Sequence, residues 1–274
     1  MNLMKATVIV ITKNQKDLLK QSLPILLKQD LKGGFEIIVV DSGSTDGAIE
    51  YVKGLPVELE QIKLKPFNYA RAFNLGAKRA HGKYLVRLSG DAIPQKEDFL
   101  SQLLRPFFDS KVGGTYGRYT LSGQTGFDYP HYWPAERFPQ KIVRYSVKPQ
   151  PFRMIFDGNH RKLIANFAGA ACAIRRKLWQ KRPLNENLSA ADDAEYAWFL
   201  HEIGYDIVYN PKAIVIHEHV VDRLNQEEKT AVFFALWKRQ LVAAEIKYYW
   251  KKFTGRDPFR KLKIKKNHRI IPNF

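Results

Sequence analysis

Tyr84-Leu85-Val86-Arg87-Leu88-Ser89-Gly90-Asp91-Ala92 reads as a buried strand that stops at a small residue, a glycine and one carboxylate. In an α/β sheet, ligands gather outside the carboxyl ends of the strands, so Asp91 stands where such a fold does its chemistry. A cation with its diphosphate would ordinarily be served there by two acids flanking one spacer. The first of those positions holds Ser89, which leaves the pair half-built.

Around this stretch the first hundred residues alternate strand and helix patterns. Ala6 to Ile11 is a β-branched run, and Lys16 to Lys28 carries leucines at helical spacing despite Pro24. Phe35 to Val40 predicts a second strand, ended by Asp41-Ser42-Gly43-Ser44-Thr45-Asp46-Gly47, where Thr45 or Asp46 caps a short helix. Val57 to Leu64 predicts a third strand, Asn68 to Ala80 a helix, and Tyr84 to Leu88 a fourth strand. Repeated βα units with apolar strands imply a parallel sheet with right-handed crossovers.

Beyond Asp91 the rhythm changes. A helix is expected over Glu97 to Phe108 and a strand over Gly113 to Leu121. Gly123 to Pro151, rich in Pro, Tyr, Trp and Phe, reads as a long binding loop or lid. Asn166 to Ile174 reads as a strand, Asp192 to Ile203 as a helix, and Asp206 to Ile216 as strands broken near Pro211. Gln226 to Phe253 reads as a long helix. The division expected is a domain over 1–225 and an aromatic helix with a basic tail over 226–274.

Composition narrows the class. A hydrophobic content of 45% suffices for a sizeable core, which excludes general disorder. The single cysteine, Cys172, excludes an intramolecular disulfide framework, fits a reducing compartment, and reads as a small buried side chain. Neither a cleavable leader nor a run of about 18 apolar residues is visible, so the expected location is cytoplasmic, free or peripheral on the inner face of a membrane. From Lys238 onward twelve Lys and Arg residues face two acids, so this segment carries +10 of the net +18. Such a block favours an anionic surface, lipid headgroups or nucleic acid.

Three further segments carry polar groups to the same sheet edge as Asp91. Thr12-Lys13-Asn14 ends the first strand and Asp41-Ser42 the second, so Thr12, Asn14 and Asp41 converge there. A carboxylate acceptor at that edge suits the imide N–H of a uracil or thymine ring, or a ribose hydroxyl. Arg71 and Asn74 on the following helix can face the same crevice, with Gly76 allowing close helix packing. On a strand, alternation puts His217 and His219 on one side and Glu218 on the other. No zinc ligand set accompanies them.

The order of these motifs resembles that of family 2 glycosyltransferases with the GT-A fold. Thr-x-Asn, Val-Val-Asp-Ser-Gly-Ser-Thr-Asp-Gly, the Arg71–Gly76 segment, Ser-Gly-Asp-Ala, Asp192-Asp193-Ala194-Glu195 and His217-Glu218-His219 follow one another over roughly residues 6 to 220. The Phe67–Ala77 segment is similar to that of bacterial rhamnosyltransferase-like members. The resemblance implies an α/β Rossmann-like nucleotide-binding sheet with helices on both faces, followed here by a C-terminal helical basic extension. It implies that Thr12, Asn14, Asp41 and Ser42 hold base and ribose, and that Arg71, Asn74 and Gly76 line the nucleotide. Ser89, Gly90 and Asp91 then meet the diphosphate, and Asp91 with His217 (or His219) meets Mg²⁺ or Mn²⁺. Asp193 matches the catalytic base and Asp192 the acid before it, on the acceptor side. At a helix start, orphan N–H groups favour the ionised form of Asp193.

Sugars present C–H faces that stack on rings, so His131, Trp133 and Trp179, with Tyr129 and Tyr132, are candidates for an acceptor platform. The function expected is inverting transfer from a UDP- or dTDP-sugar to a hydroxyl of a glycan or lipid-linked acceptor, in bacterial surface polysaccharide synthesis. An anionic membrane is the expected partner of the tail. Two rivals remain: a nucleotide-sugar-binding protein without turnover, motivated by Ser89, and a nucleic-acid-binding protein. The concentration of charge after the core argues against the second, and no nucleic-acid partner is expected.

Overall fold

The computed structural model describes residues 5–63, 67–120, 139–149, 163–188 and 191–217. The helix expected over 226–253, the basic tail and the boundary at 225 lie outside the described residues. Among these residues no helix is long and apolar enough to cross a membrane.

In chain order the elements are β1 (Ala6–Thr12), α1 (Lys16–Leu27), β2 (Phe35–Asp41), α2 (Ala48–Lys53), β3 (Glu58–Gln61), α3 (Tyr69–Arg79), β4 (Tyr84–Ser89), β5 (Ala92–Pro94), α4 (Phe99–Leu104) with a 3₁₀ turn over Arg105–Phe108, β6 (Val112–Thr120), β7 (Val143–Tyr145), β8 (Ala171–Arg175), α5 (Arg176–Lys181), α6 (Asp192–Glu202) and β9 (Asp206–His217). The strands form one sheet in the order β3-β2-β1-β4-β8-β6-β9-β5, with β7 on β9. From β1 the chain steps outward to β2 and β3, then returns to place β4 on the other side. The carboxyl ends of β1 and β4 therefore flank a topological switch point, where open α/β sheets bind ligands.

The first four strands are parallel, as expected. The second half departs from the expected pattern: β8 enters antiparallel to both β4 and β6, and β9 runs parallel to β6. Strand alternation explains the two cores. Val8, Val10, Val86 and Leu88 face α1 and α4, whereas Ile9, Ile11 and Leu85 face α3, α5 and α6. Pro24 is tolerated inside α1 because it lies on the exposed side, while Leu19, Leu23 and Leu26 are fully buried.

Local chemistry moves several boundaries. The strand expected from Asn166 begins only at Ala171, and residues 166–170 form a loop that serves the site. The helix expected to Phe108 tightens at Pro106, which has no N–H to give. Pro211 does not break β9; instead the β6 register jumps from Gly117–Asn210 to Arg118–Ile214. Gly117 makes this bulge possible, since a Cβ there would sit 2.3 Å from the Ala213 carbonyl oxygen.

Candidate active site

The crevice is built from strand ends. Thr12 pairs with Asp41 and Ile11 with Ser89 in the sheet register, so β1, β2 and β4 finish together. Thr12 Oγ1 donates to Gln15 Oε1 at 3.1 Å, and a Cβ on Gly90 would lie 2.3 Å from that Gln15 oxygen. Glycine at 90 is thus what lets the turn after β4 close onto the end of β1. Gly90 N donates to the Ile11 carbonyl at 2.8 Å and seals the contact.

The Asp41 loop is a tight acceptor turn. Asp41 Oδ1 accepts from Gly43 N and Ser44 N, both at 2.9 Å, while Oδ2 accepts from the Ser44 hydroxyl. Ser44 Oγ accepts from Asn14 N at 2.8 Å, and Asn14 Oδ1 accepts from Thr45 N at 2.8 Å. Asn14 adopts φ 52°, a left-handed conformation that Asn tolerates better than most residues. Ser42 is buried, and its Oγ has no partner among the described residues.

At the far end of β4, Asp91 is buried and its Oδ1 lies 3.3 Å from His217 Nε2. The antiparallel register of β5 on β9, pairing Ala92 with His217, produces this approach. The His217 ring lies 5.2 Å from that of Tyr119 on β6. The Tyr119 hydroxyl accepts from Ala170 N at 2.7 Å and Ala171 N at 3.0 Å, and Ser89 N donates to the Ala170 carbonyl at 2.9 Å. Next in the same loop, Gly169 N donates to Asp193 Oδ2 at 2.8 Å. The loop over 169–171 therefore joins the end of β4, β6 and the first turn of α6.

Asp192 and Asp193 part company despite their adjacency. Asp192 is buried and bound by Arg87 Nη1, while Asp193 is half-buried, with Oδ1 accepting from Ala194 N at 2.8 Å. Burial works against the Arg87 charge, but Asp192 outweighs it and holds the guanidinium above its ordinary range. Arg87 also lies 5.3 Å from the Tyr69 ring centroid. Burial, and then the Asp91 charge, raise the Tyr69 phenol. Cys172, which pairs with Arg87 across β4 and β8, is pushed up to about 12 by burial and is an inert thiol.

Four of the anticipated residues are employed elsewhere. Asn74 points not into the crevice but into a buried junction. Its Nδ2 donates to the Leu184 carbonyl and Glu186 Oε1, and its Oδ1 accepts from Trp179 Nε1 and Leu184 N. Trp179 is accordingly buried, tied by its indole, and is no acceptor platform. Gly76 allows the close helix packing expected of it, against the sheet rather than along a nucleotide: a Cβ there would sit 2.7 Å from Ile9 Cγ2 and 3.0 Å from Val40 Cγ2. Asp192 serves Arg87 rather than an acceptor. Arg71 stays exposed on the first turn of α3. His131, Trp133, Glu218 and His219 lie outside the described residues.

Gln15, Tyr69, Arg87, Tyr119 and Gly169 belong to this arrangement beside the residues expected from the sequence. Arg87 had a signal, since a charge inside an apolar strand needs a buried partner. Gly169 is hidden inside a run of small residues that continues the strand pattern, and Tyr119 carries no signal beyond its place on a strand.

The sequence pattern of glycosyl transferase family 2 matches residues 7–182, which is more than half of the chain. The chain belongs to glycosyl transferase family 2. Among curated relatives, this family 2 member is 25% identical over 220 residues to the probable glycosyltransferase YdaM of Bacillus subtilis, covering 77% of this chain and 50% of that protein. It is also 25% identical over 221 residues to the O-antigen chain rhamnosyltransferase RfbN of Salmonella typhimurium, covering 79% of this chain and 67% of RfbN. The chain thus spans half the length of the first relative and two thirds of the second.

Among solved structures, the Staphylococcus aureus TarS 1–349 complex with UDP aligns with a TM-score of 0.60 at 18% identity, over 96% of this chain and 76% of that one. The Pyrobaculum calidifontis mannosyltransferase PcManGT with GDP-Man and Mn²⁺ aligns with a TM-score of 0.56 at 21% identity, over 93% and 66%. The fold of the family 2 member is GT-A, as the motif order implied.

Proposed function

We propose that this family 2 member is an inverting glycosyltransferase that moves a sugar from a UDP- or dTDP-sugar to a hydroxyl of a glycan or lipid-linked acceptor. The observation that carries the reading is the split of the crevice. Asp91 and His217 stand 3.3 Å apart beside Ser89 and Tyr119, which bond to Ala170 and Ala171, and Asp193 accepts from the preceding Gly169 N. A leaving-group end and a base end are what a single displacement requires. Asp193 takes the proton of the acceptor hydroxyl as that oxygen bonds to the anomeric carbon. The bond from the anomeric carbon to the diphosphate oxygen breaks in the same step, and the nucleoside diphosphate leaves with the electron pair. Attack opposite the leaving group inverts the anomeric centre, by analogy with inverting hydrolases. Asp192, engaged by Arg87, is the poorer base of the two neighbours.

Thr12, Asn14, Asp41 and Ser42 form the base and ribose end, where the buried Ser42 hydroxyl is left for a ligand to satisfy. TarS has been solved with UDP and PcManGT with GDP-Man, so the fold accommodates more than one base. The pyrimidine reading rests on the short acidic loop at Asp41. Asp91 and His217 would be the protein's donors to a divalent cation, and among the described residues no third His, Cys, Asp or Glu side chain joins them in a metal-holding group. A cation held by these two would take its other ligands from diphosphate and water oxygens, a donor set that suits Mg²⁺ or Mn²⁺. When bound, such a cation stabilises the departing diphosphate as a Lewis acid. The likeness to RfbN supports a role in surface polysaccharide synthesis, and the +10 tail supports peripheral docking on an anionic inner membrane face.

The test is a panel of UDP-, dTDP- and GDP-sugars scored by thermal stabilisation with and without Mn²⁺, followed by product analysis of the best donor. Stabilisation by a pyrimidine nucleotide sugar, with an inverted product, is the expected result. Preference for GDP-sugars, or retention at the anomeric centre, would sink the reading.

A further inference from the structure

The segment over 169–171, which leads into β8, bonds three different elements around the crevice. Gly169 N is spent on Asp193 Oδ2, at 2.8 Å. The next two amides, Ala170 N and Ala171 N, both converge on one phenol oxygen, that of Tyr119. The intervening Ala170 carbonyl accepts from Ser89 N, at the end of the strand that leads into Asp91. Room at Gly169 is also exhausted. A Cβ there would lie 2.8 Å from Asp193 Oδ2 and 3.1 Å from Asp193 Cβ, so the carboxylate rests against bare backbone.

We infer that Tyr119 is a positioning residue for the Asp193 carboxylate, acting through a socket whose floor is Gly169. The inference rests on the proposed role of Asp193 as base. Its physical content is local. The three consecutive amides, the last at the start of β8, belong to Gly and Ala, whose side chains offer no polar group to fix their direction. The Tyr119 oxygen fixes two of them and thereby aims the third. That third amide favours the charged form of the carboxylate it meets. Tyr119 does so from a ring held beside His217, so one side chain sets the base end from a fixed point at the cation end.

Among the described residues, the titratable groups around Asp193 include Arg87 on β4, Cys172 on β8, Tyr119 on β6, its neighbour Asp192 and Tyr196 on its own helix. Burial raises the Cys172 thiol and the Tyr119 phenol, so both stay neutral near pH 7. Tyr119 therefore works by direction rather than by charge.

Tyr119→Phe keeps the ring and removes the oxygen; Gly169→Ala reaches the carboxylate directly and leaves Tyr119 alone. Both should keep their affinity for UDP and dTDP in the presence of Mn²⁺, measured by calorimetry. Each should lose kcat by about ten- to a hundredfold, the scale of a misplaced catalytic group. In Tyr119→Phe the acid limb of the kcat profile should also move to higher pH. A folded variant of either kind with wild-type kcat and wild-type pH profile overturns the inference, as does a loss of nucleotide affinity in proportion to the loss of rate. Asp193→Asn, run alongside, separates the two levels. Should it turn over normally, the base assignment fails; should it be dead while Tyr119→Phe is unaffected, only the socket fails.

Discussion

Asp91 Oδ1 and His217 Nε2 meet at 3.3 Å although 126 positions separate them in sequence, because β5 lies antiparallel on the end of β9. In the proposed reaction that pairing would bring both groups to the departing diphosphate. Asp91→Ala should weaken donor binding at least about tenfold, near 1.4 kcal/mol, when Mn²⁺ is present. Under EDTA the wild type and the variant should bind alike. Equal affinities in both conditions would remove Asp91 from any cation role.

Arg87 and Asp192 are a buried ion pair, and such pairs are costly to break from one side. Arg87→Met leaves an uncompensated carboxylate and should lower stability by about 3–5 kcal/mol, read from denaturant midpoints. Replacing both partners, as Arg87→Met with Asp192→Leu, should recover most of that loss. A single variant as stable as wild type would mean the pair carries no such charge.

Asn74 separates a structural role from a nucleotide-binding one. Asn74→Ala strands Trp179 Nε1–H and Leu184 N–H in the interior, and should cost about 2–4 kcal/mol at the going rate for buried unpaired donors. Donor affinity, measured where the variant is fully folded, should be unchanged. A stable variant with lost donor binding would restore the residue to the crevice.

How far the sequence was legible follows from which signals are local. The strand ends at Thr12, Asp41 and Asp91 were readable because apolar runs stop at polar residues, and parallel strands finish together. The antiparallel insertion of β8 was not, since a fully buried strand reads the same in either direction. Asn74 and Trp179 were misplaced for a related reason. A polar side chain on a helix looks available for a ligand until its long-range partners are known, and these lie at Leu184 and Glu186. The loop holding Asp193 was concealed by its composition, since Phe167-Ala168-Gly169-Ala170-Ala171 continues the strand pattern without a break.

His201 gives the fold a pH dependence of its own. Its Nδ1 lies 3.1 Å from the Tyr205 carbonyl, so in the neutral ring the proton sits on Nδ1. Burial lowers its proton affinity in the folded state. The unfolded chain, with a value near about 6.5, then binds the proton more readily. The contribution is therefore intact above that value and is lost as pH falls through it. Thermal midpoints should drop between pH 7.5 and 5.5, and more steeply in the wild type than in His201→Asn. Parallel slopes would exclude His201 as the source.

Asp193 is the group proposed to take the acceptor proton, and Asp193→Asn tests that role with almost no change of shape. Sugar transfer from the donor found in the panel should fall by about 10²–10⁴-fold, the usual worth of a general base, while donor-induced thermal stabilisation stays at the wild-type value. Transfer at the wild-type rate would contradict the account.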